Sequence, residues 1–256
     1  MARSTLLENT TPVKLLQAYK NRKSQQVSSS KFAIVTRCNA NIDGKILNFY
    51  VKEYLCRSLP DFVKHLFKKS RARRAFNAGL MLEENGFDTP RILALAQFRK
   101  LGLCLKNILI TEEIADTEPA YIALKKQKDK KQLIIEMGRI VGKMHLLNIF
   151  HGDLRMGNIL VKKERDNFHF YLIDNERTKQ FGRIPDNLRI KNLVQLNMML
   201  EPGLTKTDRF RFYKQYCKEC FGDLNIELLD FVIRKTRKRL SKLVSAGRIN
   251  QSDLWL

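Results

Sequence analysis

Three oxygen-bearing side chains stand beside apolar runs in the middle of the sequence. Asp153 and Asn158 lie within residues 151–161, and Asp174 directly follows the apolar run at residues 170–173. Phosphoryl transfer needs a group that orients the acceptor hydroxyl and takes its proton, and it needs hard oxygen ligands for Mg²⁺. The spacing therefore predicts a phosphotransferase centre with Asp153 as the base and Asn158 and Asp174 as magnesium ligands beside ATP phosphates.

A tight loop is predicted around the first of these residues. Gly152 and Gly157 flank the Asp153 segment, and glycine adopts backbone conformations that other residues resist. The competing interpretation is an ordinary turn, in which Asp153 caps a helix and Asp174 ends a strand.

The residues before this loop predict a β-rich half. Short runs rich in Ile, Val, Phe and Tyr indicate strands, and Asp43-Gly44 indicates a hairpin turn between the first two. Ser70 is a candidate N-cap for a helix that ends at Asn85-Gly86. The predicted elements are strands over residues 32–36, 45–54, 92–96 and 103–111 and a helix over residues 70–85.

The residues after position 115 predict a mainly helical half. Residues 116–131 hold five lysines and few apolar residues, which indicates a surface connection. Apolar residues at helical spacing predict helices over residues 134–147, 188–200 and 208–244, the last interrupted near residues 221–223. We therefore predict an N-terminal arm or short helix over residues 1–27, one lobe over residues 28–115 and a second over residues 116–256.

The charge of the chain predicts anionic partners. There are 48 Lys and Arg against 26 Asp and Glu in 256 residues, a formal net charge of +22. Nucleic acid, an anionic membrane face and a phosphorylated glycolipid all fit such a surface, because the attraction is Coulombic. Five scattered cysteines and an opening without an apolar signal segment favour a reducing cytosol.

The motif at residues 151–161 resembles a known superfamily. His-Gly-Asp-Leu-x-x-x-Asn-Ile-Leu-Val, followed by Leu-Ile-Asp, is similar to the catalytic and metal loops of protein-kinase-like enzymes. The resemblance implies an α+β, two-lobed fold with a small β-rich N-lobe containing one main helix and a mainly helical C-lobe. It also implies a metal loop at residues 172–177 and the cofactors ATP and Mg²⁺.

The same resemblance assigns the nucleotide contacts. Lys52, at the end of an apolar strand, would bind the α- and β-phosphates. The strand from residue 107 to residue 114 resembles a hinge, so Glu112 and Ile114 would hold the adenine edge through their backbone groups. No GxGxxG precedes Lys52, so a serine-rich segment at residues 28–31 would cover the phosphates. Asn77 stands where a glutamate partner for Lys52 is expected, and that partner stays unassigned.

Within the superfamily, the sequence is most similar to the bacterial lipopolysaccharide kinases that act on heptose or Kdo sugars. Glycine follows His151, where eukaryotic protein kinases have arginine. This feature resembles the lipopolysaccharide kinase branch and the small-molecule and RIO-type branches. The similarity extends over residues 51–54, 70–76, 85–90, 109–112 and 172–177. It implies a kinase that moves the ATP γ-phosphate to a hydroxyl of an inner-core sugar.

The implied partners are an anionic glycolipid acceptor and an anionic membrane surface contacted peripherally. We accordingly expect a cytoplasmic location that extends to the cytoplasmic face of the inner membrane, with Arg155 placed to meet an acceptor phosphate or carboxylate. One alternative is a RIO-like or atypical protein kinase associated with RNA through the basic residues 234–242. The other is a kinase-like scaffold that binds anionic ligands without catalysis.

Overall fold

The computed structural model describes residues 11–20, 25–30, 32–55, 70–100, 103–126, 130–165, 167–200 and 204–253. The chain divides into two compact units, Met1–Ala115 and Asp116–Leu256. The described part of the first unit is a sheet with two helices, and that of the second is mainly helical with short strands. Every described helix is too short or too polar to cross a lipid bilayer.

The first unit is built on a five-stranded antiparallel sheet with the order β1-β2-β3-β5-β4. The predicted hairpin is confirmed, and its turn has positive φ at both Asp43 and Gly44, as the tightest hairpin turns require. The second strand runs further than predicted, because exposed polar residues alternate with buried or partly buried ones up to Ile42. The strands are β1 (Gln25–Ser30), β2 (Ala33–Ile42), β3 (Lys45–Tyr54), β4 (Ile92–Lys100) and β5 (Leu103–Glu112).

Both faces of this sheet bury apolar side chains. Helix α1 (Thr11–Lys20) inserts Leu15 among Phe49, Val51 and Ile110 on one face. The predicted helix is confirmed as α2 (Arg71–Glu84), with the Ser70 side chain accepting from the Arg73 N–H, and it packs on the other face. Helix α1 lies within residues 1–27, where an arm or short helix is predicted, and β1 crosses residue 28.

The second unit combines five described helices with five short strands. The predicted surface connection at residues 116–131 is wrong in part, because a short strand (Glu118–Pro119) and a helix (Ala120–Lys126) form there and Ala120, Ala123 and Leu124 are buried. The short strands form two small sheets. In one, β7 pairs with β10, and in the other β8 lies between β6 and β9. The helices are α3 (Ala120–Lys126), α4 (Lys131–Leu146), α5 (Asp186–Asn197), α6 (Lys206–Phe221) and α7 (Ile226–Ser245); the strands are β6 (Glu118–Pro119), β7 (Ile149–Phe150), β8 (Ile159–Glu164), β9 (Asn167–Leu172) and β10 (Lys179–Gln180).

Two glycines allow α4 and α6 to approach closely. A Cβ on Gly138 would stand 2.6 Å from the Phe212 carbonyl oxygen, and one on Gly142 would stand 2.8 Å from the Tyr216 carbonyl oxygen. Real Cβ atoms do not approach backbone oxygens this closely, and overpacking a tight contact is destabilising. The small residues therefore bring α4 near enough to α6 for His145 to bond Tyr216.

Candidate active site

Two pairs of strands bracket the loops that hold the predicted catalytic residues. Residues 151–158 connect β7 to β8, and residues 173–178 connect β9 to β10. Because β7 pairs with β10 and β8 pairs with β9, the two loops start and end side by side. The fold of the second unit therefore brings the loop of Asp153 and Asn158 next to the loop of Asp174.

Asn158 is oriented by Asp153. Its amide nitrogen donates to the Asp153 carbonyl oxygen at 2.8 Å and to the Asp153 carboxylate Oδ2 at 3.3 Å. The amide group then directs its Oδ1 away from Asp153. The Ile173 N–H donates to the Asn158 carbonyl oxygen at 3.1 Å. Asn158 therefore bonds the residue that directly precedes Asp174.

His151 links the two loops through both ring nitrogens. The Asp153 N–H donates to Nδ1 at 3.2 Å, so Nε2 has the proton and donates to the Ile173 carbonyl oxygen at 3.1 Å. The side chain is completely buried, and burial lowers the pKa of His151 below its ordinary value. A neutral imidazole thus fixes the backbone of Asp153 relative to the residue before Asp174.

The Asp174 loop begins with an unusual backbone conformation. Asp174 has φ 62° and ψ 43°, in the left-handed region that few residues other than glycine adopt. It precedes a short 3₁₀ turn, Asn175–Arg177. A Cβ on Gly152 would stand 2.0 Å from the Arg177 Cβ, so Gly152 makes room for this turn. The prediction that Gly152 supplies an unusual φ is wrong, because its φ is not positive.

Helix α5 supplies two site residues that the sequence did not reveal. Gln195 donates from Nε2 to the Asp153 carboxylate Oδ1 at 3.1 Å, and its Oε1 accepts from the Leu154 N–H at 3.3 Å. Asn192 accepts the His151 N–H at 3.2 Å and donates to the His151 carbonyl oxygen at 2.6 Å. The Asp153 carboxylate is therefore held from α5 as well as from within its own loop.

A buried chain of hydrogen bonds continues from α5 to α6. Arg189 donates to the Tyr216 hydroxyl at 3.2 Å, and that hydroxyl lies 3.0 Å from His145 Nδ1. The other ring nitrogen of His145 lies 3.2 Å from Asn192 Oδ1. Burial lowers the pKa of His145 to about 3 and raises the pKa of Tyr216. Both side chains are therefore neutral at physiological pH.

Arg155 pairs with the same carboxylate from the solvent side. Its Nε donates to Asp153 Oδ1 at 2.7 Å, and two thirds of its side chain is exposed (66%). An exposed pair of this kind contributes little to stability. The guanidinium therefore stands beside the Asp153 carboxylate and is accessible from solvent.

The first unit holds the predicted nucleotide residues. Lys52 lies on β3 opposite Leu109 of β5, on the sheet face that packs against α2, and its Nζ stands 5.3 Å from the centre of the Tyr54 ring. Glu112 ends β5, and its N–H donates to the Arg91 carbonyl oxygen. Ile114 follows the strand, one residue before the last residue of the unit. Lys31 and the side chains of Ser28 to Ser30, predicted to cover the phosphates, lie outside the described residues.

The chemistry of the second unit suits a hard cation. The carboxylate of Asp174 and the outward Oδ1 of Asn158 are two oxygen donors on adjacent loops, and Mg²⁺ prefers such donors while completing its shell with water and phosphate oxygens. Among the described residues, no group of three or more His, Cys, Asp or Glu side chains is placed to hold a metal ion.

Comparison with known proteins identifies the family. Residues 17–216 match the model of the lipopolysaccharide kinase (Kdo/WaaP) family. The chain belongs to this family. The match includes Lys52 in the first unit and the loops of Asp153 and Asp174 in the second.

Several relatives of the chain are named 3-deoxy-D-manno-octulosonic acid kinase. A 3-deoxy-D-manno-octulosonic acid kinase of Haemophilus influenzae (strain PittGG) is 29% identical over 156 residues, which cover 60% of this chain and 62% of the relative. One from Vibrio cholerae is 28% identical over 140 residues, covering 55% and 57%. The matched part is thus about three fifths of the length of these relatives.

A solved structure confirms the predicted fold class. The structure described as "WaaP in complex with acyl carrier protein" aligns with a TM-score of 0.64 at 22% identity, covering 91% of this chain and 97% of that chain. The protein therefore has the α+β kinase-like fold, with a β-rich first unit and a mainly helical second unit.

The neutral state of His145 makes stability depend on pH. The pKa of His145 is about 3 in the folded protein and 6.5 for the free side chain, so only the unfolded chain binds a proton between these values. The free energy of unfolding should fall as pH drops below 6.5, by about 1 kcal/mol between pH 7 and pH 5.5 from His145 alone. Urea unfolding at both pH values measures this difference.

Two variants separate this effect from other titrations. His145→Gln should lose about 1 kcal/mol of the pH dependence, whereas His169→Gln, at an exposed position on β9, should keep it. An unchanged pH dependence in His145→Gln would show that His145 is not the buried neutral group described.

Proposed function

We propose that the protein is an ATP-dependent phosphotransferase that moves the γ-phosphate to a hydroxyl of a lipopolysaccharide inner-core sugar of the Kdo type. The observation that supports this most directly is the placement of Asp153, whose carboxylate is held by Asn158 and Gln195 while His151 ties its backbone to the Asp174 loop. The acceptor class is suggested by the relatives, which are named as 3-deoxy-D-manno-octulosonic acid kinases.

Asp153 would act as the general base. A carboxylate fixed on both oxygens is oriented before the acceptor arrives, and such positioning is most of what a phosphotransferase supplies. The acceptor hydroxyl would donate its proton to this carboxylate as its oxygen attacks the phosphorus. Arg155 would hold an anionic group of the acceptor beside the base, consistent with its pairing to the same carboxylate.

Asn158 and Asp174 would hold Mg²⁺, which neutralises phosphate charge when bound. Lys52 would bind the α- and β-phosphates, and the backbone groups of Glu112 and Ile114 would hold the adenine edge, as the superfamily pattern implies. Lys52 suits this role because a lysine binds phosphate as a point charge.

Labelled ATP tests the reaction and the base together. Incubation with lipopolysaccharide, deacylated core sugar, RNA-bound protein and generic protein should transfer label to the two sugar acceptors. Asp153→Asn keeps the shape of the side chain but cannot take the proton, so turnover should fall by about 10²-fold or more while ATP binding persists. Full turnover in the variant would exclude the base role, and label on protein would favour a protein kinase.

Asp174→Ala tests the metal role without requiring turnover. Removing the carboxylate should abolish the increase in ATP affinity that Mg²⁺ produces, because the remaining ligand, Asn158, is uncharged. Calorimetric titration of ATP with and without MgCl₂ measures this difference. Asp223→Ala removes a carboxylate from the exposed turn after α6 and serves as the matched control. Equal magnesium dependence in both variants would contradict the assignment.

Gln195 is expected to act as a positioning residue. Gln195→Glu keeps an acceptor for the Leu154 N–H but replaces the donor to Asp153 by a like charge. The turnover number should fall about tenfold or more, with little change in KM for ATP, since the base is misoriented while the nucleotide residues are untouched. Gln132→Glu adds the same charge to the exposed face of α4 and should leave both constants unchanged. A rise in KM at constant turnover would argue against positioning.

A further inference from the structure

A cationic groove lies between α5 and α7, and none of the proposed catalytic residues lines it. Its volume is about 640 Å³. Ile190 and Val194 of α5 form an apolar floor, and Phe231 of α7 lies at the edge with 41% of its surface exposed. The cationic residues that line this basic groove are Lys191, Lys235, Lys238, Arg239 and Lys242.

The positive charge of the basic groove is not balanced within the described residues. No acidic residue is among those that line it, and none of its five cations belongs to an ion pair in the described part of the chain. On α7, Lys235 and Lys242 each stand three or four residues from both Lys238 and Arg239, spacings at which like charges repel and weaken the helix. An external anion would remove this repulsion.

The shape and residue types favour many mobile phosphates over one fixed anion. Lys235 to Lys242 extends over about 10 Å of helix at 1.5 Å per residue, which is too long for a single phosphate group. Four of the five cations are lysines, which bind as flexible point charges, whereas arginine forks select one fixed phosphate geometry. The exposed Phe231 ring adds an apolar group that suits the interfacial layer of a bilayer.

We propose that the basic groove docks the protein onto an anionic phospholipid bilayer, with its lysines at headgroup phosphates and Phe231 in the interfacial layer. The choice of a bilayer over another polyanion rests on the proposed function, since the acceptor there is a lipid-anchored sugar. Helix α5 connects the two sites within the second unit: Lys191 and Val194 face the groove, while Asn192 and Gln195 bond the loop of Asp153.

Vesicle sedimentation tests the docking without nucleotide or acceptor, so its outcome is independent of the proposed reaction. Wild-type protein should bind vesicles that contain both phosphatidylcholine and phosphatidylglycerol, and it should dissociate from them at high salt. It should not bind vesicles of phosphatidylcholine alone. The groove variant Lys235→Gln, Lys238→Gln, Arg239→Gln and Lys242→Gln should lose about a hundredfold or more in partition coefficient, because each cation near an anionic surface contributes substantially.

A matched variant controls for the loss of net charge. Lys45→Gln, Lys214→Gln, Lys218→Gln and Arg248→Gln remove the same number and types of exposed cations outside the groove, and this variant should keep most of the vesicle affinity. Equal loss in both variants would overturn the proposal, because general charge would then explain binding. Loss of RNA binding in the groove variant with unchanged vesicle binding would overturn it in favour of nucleic acid.

Activity assays then separate the docking from the proposed reaction. The groove variant should phosphorylate deacylated core sugar at the wild-type rate and lose activity only on acceptor embedded in vesicles. If wild type phosphorylates neither acceptor, the proposed function fails while the vesicle result still decides the docking. If the groove variant phosphorylates the embedded acceptor as wild type does, docking through this groove is excluded.

Discussion

The arrangement of the site depends on one buried, neutral imidazole. His151 accepts from the Asp153 N–H and donates to the Ile173 carbonyl oxygen, and only the neutral ring with its proton on Nε2 can do both. Burial lowers the pKa of His151, which keeps the ring in this form. Because one rigid ring bonds both loops, Asp153 and the neighbour of Asp174 are held in a fixed relation to each other.

Amide side chains on α5 extend this constraint into the helical core. Asn192 both accepts from and donates to the backbone of His151, which a carboxylate at that position could not do because it lacks a donor. The chain of bonds from Tyr216 to Gln195 uses neutral groups throughout. Buried neutral groups cost little when each is paired, so the part of the network between Tyr216 and Gln195 stabilises the loop without burying a charge. Gly138 and Gly142 permit the close helix contact on which its far end depends.

The residues that were predictable from sequence are those whose relationship is local. Asp153 and Asn158 lie in the loop between β7 and β8, and Asp174 lies in the loop after β9, so their spacing alone was enough to predict a shared site. Asn192 and Gln195 contact that loop across a separation of 41 and 42 positions, and polar residues in a helix ordinarily indicate an exposed face. The available signal was their position among Leu193, Val194 and Leu196, all of them buried.

The fold errors have a similar origin. Helix α3 is not predicted because the lysines at its end indicate an exposed connection. Ala120, Ala123 and Leu124 are nevertheless buried and follow helical spacing. The sequence predicts backbone freedom as the role of Gly152, whereas the structure shows that Gly152 provides space for Arg177. That requirement is a contact between two loops, and no pattern within either loop reports it. Family membership predicts the fold but does not predict individual contacts of this kind.

Helix α5 has two tasks that the arrangement of its side chains keeps separate. Asn192 and Gln195 bond the loop of Asp153, while Lys191 and Val194 line the basic groove. An α-helix with its side chains is about 10 Å across, so a surface docked in the groove would lie close to the proposed base and in a fixed orientation to it. A lipid-anchored acceptor needs such an arrangement, because its reactive hydroxyl stands at a limited height above the bilayer. Docking through a rigid helix would set that height, whereas docking through a flexible arm would not.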